Sequence, residues 1–350
     1  MAKRTNENVR IKRKYLLWLA DAKGCSEATV ERAAASIDRY DQFNAGGDFG
    51  ALHAEKARAF KRHLDSARNP KTGRPLAAST IDGALRDLKA FFLWLADQPG
   101  YRSKVLYSDA AYFSPSRRMA KAARGGTWKP HPSLEQARHA LHLMPSETIV
   151  QRRDRAILAT LLLTAARDGA LITLRLRNVD LVDAGVHFAG PEIETKFGKV
   201  STAWFFPVGD DVERILRDWV NELQTGLLFG PDDPLFPKQA TGPGENGGLE
   251  AKGLVRAPWA NASAIRDICK RAFTNAGLPP YTPHLIRKTL TDMIRDHCTD
   301  MEMVKVWSQN LSHENIMTTF CNYGTVSPGR QRELMARMRE KANRLGPDGI

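Results

Sequence analysis

Thr282–Thr289 reads TPHLIRKT, and this octet organises the reading of the chain around it. Thr282 is a helix-capping residue type, and Pro283 suits the first helical position, where an amide is not needed. His284 and Arg287 then fall one turn apart on one face. A helix start presents unpaired amides and partial positive charge, so an imidazole and a guanidinium added there build a pocket for a phosphate. Alone, H-x-x-R is a weak signal, better explained by a surface pair. Its neighbours carry the argument.

Downstream, Leu311–Gly324 reads LSHENIMTTFCNYG and places His313 ten residues before Tyr323, the only tyrosine after Arg287. The other six tyrosines read as packing residues, although Tyr281 is also suited to lining the pocket. Upstream, RRDRAILATLLLTAAR predicts a strongly apolar helix from about Arg152 to Ala165, with Arg167 just beyond its end. By itself Arg167 reads as a helix-terminal arginine paired with Asp168. Between the two regions lie VHFAG, EIETK and STAWFFPV, rich in β-branched and aromatic residues and separated by turns around Gly190 and Gly198. They predict a three-stranded antiparallel sheet with Lys196 and Lys199 flanking its second turn. Ser133 is expected to cap a helix running through Leu143. Further helices are expected at about Asp211–Leu223, Ala262–Ala276, Pro283–Asp296, Asp300–Gln309, His313–Phe320 and Gly329–Arg344. Thr241–Gly253, TGPGENGGLEAKG, reads as a flexible surface loop. After Tyr323, SPGRQRELMARMREKANRL predicts an amphipathic basic helix with Leu334, Met335 and Met338 available for packing.

The first hundred residues carry four helical stripes: Ile11, Tyr15, Trp18 and Leu19; Val30, Ala33 and Ile37; Ala57, Phe60 and Leu64; and Ile81, Leu85, Leu88, Phe92 and Leu95. Ser79, with Asp82 three residues on, predicts a capping box at the start of the fourth. Lys56, Arg62, Arg86 and Lys89 lie between the stripes, a distribution suited to a small bundle laid against a nucleic-acid backbone. Periodicity lapses before Pro132, where Arg117, Arg118 and Lys121 lie among prolines and glycines, a basic linker. The organisation read is a helical domain over 1–112, a linker over 113–132 and a second domain over 133–350. The length also favours two domains.

Charge agrees with this division. Met1–Pro130 holds 25 basic against 13 acidic residues, and the remainder 27 against 26, within totals of 52 and 39. A basic half suits a polyanionic partner, because lysine and arginine contacts release counterions condensed on phosphates. Cys25, Cys269, Cys298 and Cys321 form no C-x-x-C pair or disulfide framework, which argues for a reducing interior and no structural zinc. With no apolar run long enough for a signal peptide or a membrane span, a cytoplasmic protein with no membrane association is expected. There is no G-x-x-x-x-G-K-[ST], and Met317 stands where H-E-x-x-H needs its second histidine, so neither ATP nor a metal or other cofactor is expected.

In order, an arginine after an apolar helix, a lysine in a β-turn, H-x-x-R, the Leu311-Ser312-His313 run at the place of the family's L-G-H, and a late tyrosine resemble the catalytic domain of the tyrosine recombinases, the phage integrase family. The likeness spans roughly Ser133–Arg344, and the N-terminal region resembles the family's core-binding domain. It implies a mainly α fold with a small antiparallel β-sheet, an N-terminal SAM-like helical bundle and a catalytic domain. The catalytic residues it implies are Arg167, Lys196 (with Lys199 as the alternative), His284, Arg287, His313 and the nucleophile Tyr323. The activity implied is site-specific cleavage and rejoining of double-stranded DNA by metal-independent transesterification, through a 3′-phosphotyrosyl intermediate and in a homotetramer on two sites. The chain departs from the family pattern at Ala165 and Ala166, where glycine and an apolar residue are usual, at Ala170 in place of an acidic residue, and in one extra residue between His313 and Tyr323. A type IB-like topoisomerase and a DNA-binding regulator without catalysis are the competing readings.

Overall fold

The four apolar stripes become α1 (Ala2–Leu17), α2 (Glu27–Phe43), α3 (Ala54–Ser66) and α4 (Ala78–Ala96). The computed structural model describes residues 2–70, 72–117, 119–120, 130–190, 193, 200–243, 249–313 and 328–345. The chain divides into two units, Met1–Lys129 and Pro130–Ile350. In the first, Ile11, Tyr15, Ala33, Ile37, Ala57, Phe60, Leu64, Leu85, Leu88, Phe92 and Leu95 are buried as their spacing requires. Tyr40 sits edge-on to Phe60, Phe92 and Phe113 at 5.2, 5.2 and 5.7 Å. Such pairs contribute about 0.5–1.5 kcal/mol each beyond area burial, so this aromatic cluster is a main source of cohesion. Phe113, the first position assigned to the linker, is fully buried in it.

Two local expectations for this unit need correction. Ser79 is not the cap of α4: the helix starts at Ala78, and the Thr80 and Ile81 amides bond back to the Ala77 carbonyl. The Arg68–Pro75 bridge and the Leu76 amide on the Ala67 carbonyl keep the chain extended up to Ala77, so winding begins two residues too early for Ser79 to cap it. Asp82 instead pairs with Arg86 at 2.8 Å. Among the tyrosines, Tyr15, Tyr40, Tyr101 and Tyr281 are buried, but Tyr107 and Tyr112 are exposed. Tyr107 donates to Asp97, and the Tyr112 ring lies 4.6 Å from the Arg58 guanidinium.

The second unit is built on the apolar helix, which spans Ile149–Thr164 and buries Ile157, Leu158, Leu161, Leu162 and Leu163. Thr148 and Gln151 close a capping box at its start, as Ser133 and Gln136 do for the Leu134–His142 helix. Around it pack the helices Asp210–Asn221, Ser263–Asn275 and Pro283–Asp292. A three-stranded antiparallel sheet is present with order β1 (Val179–Asp180), β2 (Gly185–Phe188), β3 (Ser201–Trp204). Its first strand therefore precedes the segment expected to open it, and EIETK lies outside the described residues apart from Ile193. Val186 and Ala203 face the core, while His187, Thr202 and Trp204 share the outer face.

The Thr241–Gly253 stretch, expected as a loop, is strand over its described residues: Thr241–Pro243 end β4 (Lys238–Pro243) and Leu249–Gly253 open β5 (Leu249–Val255), an antiparallel pair whose register shifts between Gln239 and Thr241. Its glycines and proline suggested a loop, yet Lys238 to Gln239 and Leu254 to Val255 lay down enough ladder to pair the strands, and the irregularity absorbs the misfit. At the opening of this unit, His131 pairs with Asp292 at 2.8 Å and the Thr289 hydroxyl donates to the Pro132 carbonyl at 2.6 Å. Both contacts fasten the incoming chain to the Pro283–Asp292 helix. Among the described residues no helix is long and apolar enough to cross a membrane.

Candidate active site

The site grows from two turns in left-handed backbone. Ala165 ends the apolar helix with φ 52° and ψ 25°, and Ser312 follows the Met301–Asn310 helix with φ 51°. Left-handed backbone strains any residue with a Cβ, which accounts for the glycine usual in the family at both places. Each turn aims one carbonyl at the same side chain: Arg287 donates through Nη1 to the Ala165 carbonyl at 2.6 Å and through Nη2 to the Leu311 carbonyl. Arg287 thus pins together the end of the apolar helix, its own helix and the turn leading to His313. Among the described residues these two bonds use two of its five N–H donors.

Arg167 stands at the N-cap position of the short Asp168–Ile172 helix, makes no side-chain cap bond and is exposed. Asp168 pairs with Arg266 and not with Arg167, contrary to the simple reading of the sequence. Burial, and then the nearby Arg167 charge, push Arg287 down to about 10, still cationic at neutral pH. Burial first, then Arg287 and Arg167, push His313 down to about 4. The two guanidiniums and the imidazole therefore share one electrostatic environment. Among the described residues neither guanidinium meets a carboxylate, and two cations beside a neutral imidazole invite an anion.

This has a measurable consequence in the free protein. An imidazole whose value falls on folding from 6.5 to about 4 binds fewer protons folded than unfolded. Its contribution to stability is present above pH 6.5 and is lost as pH falls toward 4. In a histidine NMR titration the His313 ring is expected to stay neutral below pH 5, and a His313→Gln variant to lose part of the acid-side fall in stability. An unshifted midpoint near 6.5 for His313 contradicts the geometry.

His284 stands exposed on the first turn of the helix that holds Arg287, with Thr282 at the cap position and Pro283 first. Thr282 provides the position but no side-chain cap bond. Lys196, Lys199 and Tyr323 lie outside the described residues, as do the expected His313–Phe320 helix beyond His313, Arg118 and Lys121. The ends of the strands around the lysine segment are placed: Phe188 pairs with Ser201, and the Ser201 hydroxyl lies 3.3 Å from that of Ser312, next to His313. In the first unit Arg62, Arg86 and Arg117 are exposed and Lys56 is half-buried, while Lys89 donates to the Ser114 hydroxyl at 2.9 Å beside Lys61 on the Ser114 carbonyl at 2.7 Å. Lys89 is thus engaged within its own unit.

Sequence reasoning missed three participants. The carbonyls of Ala165 and Leu311 are invisible in a residue pattern, although the family's glycines point to unusual backbone there. Asn310 was also missed: its side-chain amide bonds both the N–H and the C=O of Trp204, at 2.7 and 2.8 Å.

With the geometry in hand, comparison with known proteins is direct. The model of the phage integrase family matches residues 134–330. The tyrosine recombinase XerC of Xanthomonas axonopodis pv. citri (strain 306) is 26% identical over 271 residues, 77% of this chain and 75% of the relative. XerC of Xylella fastidiosa (strain M23) is 22% identical over 316 residues, 89% of this chain and 90% of the relative. Among solved structures, the XerH site-specific recombinase bound to palindromic difH substrate in a post-cleavage complex matches with TM-score 0.61 at 14% identity, over 90% of this chain and 81% of that one. The Tn1549 transposon integrase in complex with circular intermediate DNA matches with TM-score 0.60 at 16% identity, over 94% of this chain and 99% of that one. These structural likenesses establish the fold, and the family match, covering more than half of the chain, establishes the kinship: the chain belongs to the phage integrase family of tyrosine recombinases.

Proposed function

We propose that this chain recombines double-stranded DNA at specific sites by cutting and rejoining strands through a covalent 3′-phosphotyrosyl link, with Tyr323 as nucleophile. The observation that carries the reading is that Arg287 bonds the carbonyls of Ala165 and Leu311, each two residues before Arg167 and His313, and so draws the segments bearing all three side chains together. A phosphodiester arriving there supplies the anion the cations lack. As Tyr323 attacks in line, charge grows on the non-bridging oxygens of the pentacoordinate phosphorus, and paired guanidinium hydrogen bonds answer it in the role metal ions fill elsewhere. His284, exposed on the same helix face as Arg287, accepts the phenol proton, and His313 donates a hydrogen bond to the phosphate.

The departing 5′ oxygen is a far stronger base than phenolate and leaves with a proton. Lys196 supplies it, or Lys199 if the turn places that residue at the scissile bond. The bond to phosphorus is exchanged and not hydrolysed, so its energy is kept for rejoining when the 5′ hydroxyl of a partner strand attacks. The helical first unit and the basic 113–132 linker provide the backbone contacts, through Lys56, Arg62, Arg86, Arg117, Arg118 and Lys121, with Lys89 supporting the surface from within. Phosphate contacts of this kind fix register and leave sequence choice to base edges. Two sites and four copies of the chain make up the recombining complex. The Pro328–Leu345 helix, with Met335 and Met338 exposed, is suited to docking on a neighbouring copy. The work is done on cytoplasmic DNA.

The test is to trap covalent protein–DNA complexes in cells expressing the chain and to sequence the attached ends. Protein on the 3′ side of each break with a free 5′ hydroxyl is expected, at a recurring site. Protein on 5′ ends, or breaks with 3′ hydroxyls, overturns the reading.

A further inference from the structure

We infer that Asn310 is a positioning residue for the phosphate pocket: by clamping strand β3 it fixes the turn that presents the Leu311 carbonyl to Arg287 and carries His313. This rests on the proposed phosphate-binding role of Arg287 and His313. On the edge facing away from β2, Trp204 turns out a backbone N–H and C=O that no further strand pairs among the described residues. The Asn310 carboxamide takes both, Oδ1 accepting from the Trp204 amide at 2.7 Å and Nδ2 donating to its carbonyl at 2.8 Å. The pattern is that of one residue of a β-ladder, supplied by a side chain from 106 positions away. Only a primary amide of this length offers a donor and an acceptor at the right separation. Aspartate lacks the donor, and glutamine places the pair a methylene too far.

Nothing between Asn310 and His313 is slack. The Leu311 carbonyl accepts from Arg287, Ser312 is held left-handed with its hydroxyl on Ser201, and the His313 amide donates to the Ser308 carbonyl at 3.1 Å. Three residues before the clamp's helix ends, the register is also fixed from the other side, where the Trp307 indole donates to the Leu290 carbonyl at 2.9 Å and its ring packs 4.9 Å from Phe206. A shift of Asn310 against β3 therefore passes directly to the Leu311 carbonyl and the imidazole. An ångström of misplacement in such a pocket lowers a rate by about a hundredfold.

The experiment measures single-turnover adduct formation by Asn310→Ala on a duplex recovered from trapped complexes. The duplex is made once with a normal scissile phosphate and once with an uncharged methylphosphonate in its place. On the phosphate substrate the variant is expected to be about ten- to a hundredfold slower, with DNA affinity within about twofold of the unsubstituted protein. On the methylphosphonate, which asks less of the cations and of His313, the deficit is expected to shrink to about threefold or less. Ser201→Ala, a milder disturbance of the same turn, is expected to show a smaller deficit with the same relief, and it keeps the test open should Asn310→Ala fold poorly. An equal deficit on both substrates, or no deficit, overturns the inference. Arg287→Met run in parallel separates the two levels: relief for Arg287→Met without relief for Asn310→Ala removes the role of Asn310 alone. No relief in either removes the phosphate-pocket reading and this inference with it.

Discussion

Arg287→Met is expected to lower the rate of strand cleavage by about a thousandfold or more, while leaving the fold almost as stable as before. Removing one donor aimed at a developing oxyanion loses about 2.7–4 kcal/mol of transition-state stabilisation, and Arg287 offers the pocket more than one. Stability obeys a different balance. The guanidinium holds two carbonyls, and charge-assisted bonds of this kind are worth about 1.5–3 kcal/mol each. Against that stand its burial and the facing Arg167 charge, which together disfavour the cation in the folded protein. Methionine fills the volume of the stem without the charge, so the opposing terms nearly cancel and the unfolding free energy is expected to move by about 1 kcal/mol or less. Single-turnover cleavage and denaturant unfolding check the two halves. A large loss of stability would mean that Arg287 is chiefly a structural tie.

The opposite pattern is expected at Arg153. Its side chain is almost wholly buried, donating to Asp154 at 3.0 and 2.7 Å and to the Pro237 carbonyl at 3.0 Å, with its guanidinium 4.6 Å from the Trp259 ring. Arg153→Met leaves Asp154 with only the exposed Arg271 at 3.5 Å, and stranding a buried charge in this way costs about 3–5 kcal/mol. Burial already raises the Asp154 carboxyl above its ordinary value, with Arg153 pulling the other way. Losing Arg153 raises it further. A carboxyl whose folded value lies above its unfolded one binds more protons when folded, so the stability it contributes is present below the unfolded value and lost as pH rises through the folded one. The deficit of Arg153→Met should accordingly be smallest near pH 4 and grow toward neutrality. Adding Asp154→Asn should recover most of it. Urea unfolding at pH 4 and 7 reads both effects, and a deficit independent of pH contradicts the assignment to Asp154.

Much of this molecule was legible in its residues. The stripes of α1 to α4 and of the apolar helix are periodic, and Ser133 announced its own cap. The H-x-x-R pair reads from Pro283, because proline belongs at a helix start and the spacing does the rest. Backbone and edge effects were not legible. Val179 and Asp180 are too short and too polar to signal a strand, and β4–β5 hides under glycines that usually mark loops. Arg153 reads as one of four charges in RRDR, and only the wrap of Pro237 and Trp259 over the helix reveals it as interior. The two left-handed turns have no signature of their own, since alanine and serine stand where glycine would have announced them. Asn310, a lone amide between Gln309 and Leu311, acquires meaning only once β3 lies against it.

The proposed reaction needs the late phenol of Tyr323 to meet Arg167, 156 positions upstream, together with His284, Arg287 and His313. Its most direct test is to trap the protein on a nicked duplex that loses its 5′ fragment after cleavage, digest the adduct, and locate the nucleotide-bearing residue by mass spectrometry. The expected result is a 3′-phosphate esterified to Tyr323. Attachment to any other side chain, or no adduct from a protein that binds the duplex, would contradict it.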